Sequence, residues 1–278
     1  MKAGSNPTET GALVIIAFAV TLFFLLAGIA VMTIGMWFGL PVLVRSGQVT
    51  KIQEQCRREK LIALTFDDGP NPHMTEKVLD MLDELDVKAT FFMIGNLVTR
   101  NGDLARRVVA EDHQIASHTQ DHLDAWRVNP IRGIRDFWTG MRTLKDRELA
   151  VSLFRPPKGN ATLGTLLSCW MGGCKMIWWT HDSGDTGFGS GKCEMGISEI
   201  LKKVFSGGKK MVQGEQEALP EMREDLLRSL EVEGGVVLLH DGERAFESCK
   251  TLTLECTRDI VERAKKNGFR FVTLEELV

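Results

Sequence analysis

Residues 61–72, Leu-Ile-Ala-Leu-Thr-Phe-Asp-Asp-Gly-Pro-Asn-Pro, constrain the fold of this chain more than any other stretch. An apolar, β-prone run bounded by turn formers is the signature of a strand buried on both faces, as in a parallel sheet, and Gly69, Pro70 and Pro72 stop it abruptly. Asp67 and Asp68 therefore stand at a strand's C-terminal end. In parallel α/β folds ligands bind at that end, so two adjacent acids there point to chemistry, although Asp-Asp-Gly-Pro is also ordinary turn chemistry.

Downstream, strand-like and helix-like stretches alternate. Residues 89–94, 114–117, 152–155, 175–180, 236–240 and 269–273 read as short strands, while residues 75–85, 103–111, 130–147, 197–205 and 256–266 carry helical periodicity. Repeated strand–helix units predict an α/β fold with a parallel sheet or barrel, and seven strands between residues 61 and 278 suit a barrel smaller than the eightfold one. Residues 206–235 are longer and more polar than an ordinary connection and read as an insertion holding one helix, 220–230.

Upstream, residues 11–44 contain no charged side chain. As a helix they would reach about 51 Å against roughly 30 Å of hydrocarbon, enough for one tilted span and too little for two. The run exceeds the roughly 7–15 residues of a signal-peptide h-region, and no clear small-x-small cleavage site follows. The reading is a short tail (1–10), one transmembrane anchor (11–44) with Trp37 at the interface and Gly39 and Pro41 ending the helix, a basic linker (45–60), and a globular domain (61–278). Lysine and arginine number 34 against 37 acids, a net charge of −3 spread along the chain, which gives no basis for a nucleic-acid partner.

A second polar cluster, Ser117-His-Thr-Gln-Asp-His122, follows the third strand. Two histidines four apart face the same way on a helical turn, and with a carboxylate from another strand end they make a metal site with open positions for water and substrate. Three further strand ends carry Arg155-Pro-Pro-Lys-Gly159, Asp182-Ser-Gly-Asp185 and Leu238-Leu-His-Asp241. Each alone has an ordinary explanation as a turn; together they converge on one site.

With Thr65-Phe-Asp-Asp-Gly-Pro70 at their head, these ordered motifs resemble those of the NodB-homology polysaccharide deacetylases, carbohydrate esterase family 4, across the whole domain from Leu61 onward. The resemblance implies a distorted (β/α)7 barrel and metal-dependent removal of acetyl groups from N-acetylated amino sugars. It implies Asp68, His118 and His122 as ligands of one divalent ion, zinc ahead of cobalt or another metal. It implies Asp67 as general base, held by Arg155. His240 would be the acid that protonates the leaving amine, oriented by Asp185 ahead of Asp182. The backbone N–H of Lys158 would complete the oxyanion site, and Leu238 would wall the acyl pocket.

Two positions depart from the family pattern. Lys158 replaces an aromatic residue and makes the substrate-facing surface basic; Thr186 replaces a tryptophan of the acyl pocket, leaving it looser unless Phe188 or Trp178 fills in. The expected partners are an N-acetylated glycan or a lipid-linked sugar, with a catalytically silent glycan-binding protein as the reading from another class. The resemblance places the domain outside the cytoplasm. Against this, the basic residues after the span (Arg45, Lys51, Arg57, Arg58, Lys60) outnumber Lys2 and the amino terminus before it, which favours the inside; the expectation is an extracytoplasmic domain. The six cysteines fit no zinc pattern and read as buried thiols, or as disulfides if the domain is exported.

Overall fold

A computed structural model describes residues 7–185, 191–192, 219–242 and 247–278. Its first element, α1 (Pro7–Glu59), is one uninterrupted helix of 53 residues. Gly39 and Pro41 do not end it, and all but the last residue of the expected linker, 45–60, forms its final turns. The helix changes character along its length. Its most apolar stretch is not buried at all, with a mean hydropathy of 2.8. From Pro41 onward a stripe of buried positions, Pro41, Arg45, Ile52 and Cys56, recurs at helical spacing and docks on the domain. Lys60, in the left-handed region at φ 52°, reverses the chain in a single residue and delivers it into β1 (Leu61–Gly69).

Around β1 the chain builds a curled, mostly parallel sheet. Its strands are β2 (Thr90–Met93), β3 (Gln114–Ser117), β4 (Leu153–Phe154), β5 (Lys175–Met176), β6 (His181–Asp182), β7 (Gly191–Lys192), β8 (Gly235–His240) and β9 (Arg270–Phe271). The order is β5-β4-β3-β2-β1-β8-β6-β7, with β9 pairing with the start of β1 and only β7 antiparallel. This is the open, half-barrel form of the expected fold: among the described residues β5 and β7 do not pair. Helices α2 (Thr75–Glu84), α3 (Gly95–Arg100), α4 (Gly102–Ala110), α5 (Pro130–Lys145), α6 (Leu163–Met171), α7 (Leu219–Glu233), α8 (Glu247–Lys266) and α9 (Leu274–Leu277) complete the chain.

Alternation along β1 divides the core. Ile62, Leu64 and Phe66 face one hydrophobic cluster with Leu79, Phe91, Leu239 and Ile260. Leu61 and Ala63 face a second, with Phe92, Phe154, Trp178 and Leu238, and it is this cluster that Ile52 and Cys56 of α1 enter. Thr65 and Asp67 share that second face by the two-residue period of a strand. The sheet therefore presents polar groups at its C-terminal edge over an apolar floor. The expected helix at 197–205 lies outside the described residues, as does most of the expected insertion.

Candidate active site and metal centre

A strand normally sends adjacent side chains to opposite faces, yet Asp67 and Asp68 both serve one site. The register between β1 and β2 slips between Asp67 and Gly69, so Asp68 is the extra residue of a bulge, at φ 73°. Gly69 makes this possible: a Cβ there would stand 2.4 Å from Asp241 Oδ2. Parallel pairing with β8 sets Asp67 directly beside His240.

The two histidines do not lie on a helical turn, as their spacing alone suggested. They sit in an irregular loop in which Thr119 and His122 both have positive φ. Asp136 of α5 holds it, its carboxylate accepting from the backbone N–H of Asp121 at 2.8 Å and of Leu123 at 3.1 Å. Gly140, one turn further along α5, lets the loop approach, since a Cβ there would stand 2.5 Å from the Thr119 carbonyl carbon. Backbone cannot yield to such a contact. Gly140→Ala is expected to lower stability by about 1–3 kcal/mol, measured by urea unfolding, and to weaken metal binding by moving both imidazoles.

Asp68, His118 and His122 each offer one ligand atom, and these atoms lie within 4.8 Å of one another. His118 Nε2 is 3.5 Å and His122 Nε2 3.0 Å from Asp68 Oδ1. His118 Nδ1 lies 2.8 Å from the Arg155 carbonyl oxygen, to which only a protonated Nδ1 donates, so the Nε2 lone pair faces the acid. Burial pushes the His118 pKa down to about 4, outweighing the attraction of Asp67. Burial also acts to raise the Asp68 pKa, but its pairing with His122 and the charge of the neighbouring imidazoles hold it well below the usual carboxylate range. Asp68 Oδ1 is nonetheless buried with no well-aimed hydrogen-bond donor. A deprotonated, unsatisfied carboxylate oxygen facing a neutral imidazole fits a divalent cation.

Asp67 is held differently. Arg155, wholly buried, donates from Nη1 to Asp67 Oδ1 at 2.7 Å and to Thr65 Oγ1 at 2.8 Å, and its guanidinium lies 3.9 Å above the Phe92 ring. Asp67 Oδ2 stands 3.7 Å from His118 Nε2, beside the ligand atoms rather than among them. Across the site, His240 Nδ1 is 2.8 Å from Asp185 Oδ1, and the His240 backbone N–H donates to Asp185 Oδ2 at 2.7 Å. Burial works to lower the His240 pKa, but the charge and hydrogen bond of Asp185 outweigh it and raise it to about 10. Asp182, the other candidate, accepts from the Gly184 N–H at 3.0 Å and so shapes the turn that delivers Asp185.

Lys158, at φ 58°, sits in a 3-10 turn (Pro157–Gly159) with its ammonium 3.6 Å from Asp124. Leu238 is buried in β8 opposite Thr65. Trp178, in the same hydrophobic cluster as Leu238, is buried, and its indole N–H donates to the Gly159 carbonyl at 3.0 Å, beneath the Lys158 turn. Thr186 and Phe188 lie outside the described residues.

Asp241 has no assigned part in the sequence reading, yet it is fully buried beside the acids, accepting from Thr75 Oγ1 at 2.5 Å. Burial, then the charges of Asp68 and Asp67, raise its pKa to about 7. Thr253, which donates to Asp185 Oδ2 at 2.8 Å, was also missed. Position next to His240 is the one sequence signal for Asp241; Thr253 carries none.

Comparison with known proteins gives the class of hydrolase to which this half-barrel, with acids and imidazoles at its strand ends, belongs. Residues 54–168 match the family model for polysaccharide deacetylase. The chain is 30% identical over 220 residues to a peptidoglycan-N-acetylglucosamine deacetylase of Bacillus cereus, covering 79% of this chain and 89% of that one. It is 30% identical over 226 residues to a chitooligosaccharide deacetylase of a Bradyrhizobium species, covering 78% and 90%. The solved chitin deacetylase of the fungal pathogen Colletotrichum lindemuthianum superposes with a TM-score of 0.59 at 25% identity, covering 79% of this chain and 88% of that one. The chain belongs to the polysaccharide deacetylase family, the NodB-homology group of carbohydrate esterase family 4.

Proposed function

We propose that this protein is a membrane-anchored, metal-dependent hydrolase that removes N-acetyl groups from amino sugars of a cell-envelope glycan. The observation that carries the reading is the division of labour between neighbours: Asp68 faces His118 and His122, whereas Asp67 is turned to Arg155. Asp68, His118 and His122 would hold the ion, zinc by the donor set, which when bound polarises a carbonyl and lowers the pKa of coordinated water from about 15.7 towards 7. Asp67, oriented by Arg155, takes the proton of the attacking water. His240, protonated through neutral pH by Asp185, gives a proton to the departing nitrogen. The turn at Lys158 offers its N–H to the developing oxyanion, and Leu238 forms part of the acyl wall. Acetate release from N-acetylated chitooligosaccharides and peptidoglycan fragments, set beside metal analysis of the protein, tests the reading; metal-loaded protein that releases acetate from none of them would favour a silent glycan-binding role.

The anchor rests on the exposed apolar part of α1, and an extracytoplasmic catalytic domain on the glycans its relatives are named for. Cys169 and Cys174 provide a test. The four cysteines with described side chains, Cys56, Cys169, Cys174 and Cys256, are buried and free, and the sulfurs of Cys169 and Cys174 are 2.7 Å apart. In an oxidising compartment this pair is expected to close into a disulfide. Mass spectrometry of the alkylated protein from its native membrane should find both protected; two free thiols would place the domain in the cytoplasm.

A further inference from the structure

The path of α1 fixes which end of the catalytic domain meets the membrane. Lys60 turns the chain back on itself, so α1 runs antiparallel to β1, and contacts along it give the polarity. Gln53 Nε2 donates to the carbonyls of Glu233 and Gly234, at the start of β8. Higher up, Arg45 lies 4.9 Å over the Trp179 ring and against Gly159, beside the Lys158 turn. Higher still, Phe38 meets Trp126, four residues past His122, at 5.9 Å between ring centroids, and Trp37 reaches the start of α6 at Gly164. Arithmetic agrees. From Glu59 up to Arg45 the helix climbs about 21 Å, and β1 climbs about 20 Å from Leu61 to Asp67. Arg45 is level with the acids.

Above Arg45 the helix reaches its uncovered part quickly. From Ile15 to Met36 its side chains are exposed, apart from half-buried Ala27, a length of about 33 Å against roughly 30 Å of hydrocarbon. Met36 is only about 14 Å along the helix from Arg45. The surface around this exit suits headgroups: Ile131 is 70% exposed at the start of α5, next to exposed Arg127, Arg132 and Arg135. Arg132 and Arg135 have no ion-pair partner among the described residues, and they sit near a helix N-terminus whose dipole disfavours cations unless anions stand opposite.

Resting on the deacetylase reading, we infer that α1 suspends the domain with its active site facing the bilayer, so that the substrate is an N-acylated amino sugar joined through phosphate to a membrane lipid. Lys158, half exposed at the rim, is placed to meet that phosphate. The headgroup layer itself takes roughly 5–8 Å of the gap, which leaves a shallow space suited to a sugar rising from the membrane.

The test uses the full chain in nanodiscs of phosphatidylethanolamine and phosphatidylglycerol. An eleven-residue polar helical insert between Met36 and Trp37 lifts the domain by about 16 Å while keeping three whole turns of rotational phase. Acetate release from polyprenyl-diphosphate-linked N-acetylglucosamine in the disc is expected to fall at least tenfold, with release from soluble chitotetraose unchanged. Equal rates on the lipid-linked probe with and without the insert overturn the inference. If the unaltered chain turns over neither probe, the deacetylase reading fails instead, and orientation is then judged by benzophenone photo-cross-linking. Capture of lipid from position 131 and not from position 266 supports the inference, and the reverse pattern rejects it.

Discussion

Asp67→Asn is expected to leave the bound metal in place and to slow acetate release by about 10²–10⁴-fold, the range for removing a general base. The amide keeps the volume and can still take a hydrogen bond from Arg155 on its oxygen, so the fold has little reason to respond. His118→Ala should behave otherwise. It removes a ligand whose Nδ1 is anchored at 2.8 Å on Arg155 and whose Nε2 completes the trio, so metal and activity should disappear together. Metal content by plasma mass spectrometry, run beside the kinetics, separates the two. Full occupancy in His118→Ala would sink the ligand assignment, and metal loss in Asp67→Asn would make Asp67 a ligand rather than the base.

The second large effect is on pH dependence. A proton donor acts only while protonated, and Asp185 raises the His240 pKa to about 10 against the effect of burial. Activity should therefore persist through neutral and mildly alkaline solution and decline as pH rises through that value. Asp185→Asn removes the charge that overcomes burial, so the alkaline limb of kcat/KM should move down by roughly three to four pH units. At pH 8 the loss should then be about 10–100-fold, partly recovered at pH 6. A limb that stays in place would mean that His240 is not the group being titrated. Thr253→Val, which deletes a hydrogen bond to Asp185 Oδ2 without touching the charge, should move the same limb far less.

Much of this site was legible because each group follows a short apolar run that stops at a turn, and such punctuation survives in one dimension. Asp67, Asp68, His118, Arg155, Asp185 and His240 all occupy such stops, and the sheet brings them together. What escaped depends on contacts between distant segments. Asp241 is distinguished by Thr75 and by the bulge at Asp68, neither of which a local pattern reports. The histidine loop departs from a helical turn because Asp136, fourteen residues past His122, satisfies its N–H groups instead. The last turns of α1 hid for a related reason: their buried stripe includes Arg45, and half-buried Gln48 donates to Met176 O at 2.7 Å, so burial there does not read as apolar periodicity.

That docked half-helix bears on how the protein is to be handled at the bench. Beginning a soluble version at Leu61, where the sequence first looks globular, would strip Ile52 and Cys56 from the second hydrophobic cluster and uncover Trp179. Ile52 alone represents about 1.5–3 kcal/mol of burial, a sizeable share of what holds a domain folded. Such a fragment should aggregate or refold poorly, and its inactivity would say nothing about the chemistry. A version starting at Trp37 discards the greasy part of the helix and retains the contacts of Trp37, Phe38, Arg45, Ile52 and Cys56 with the domain.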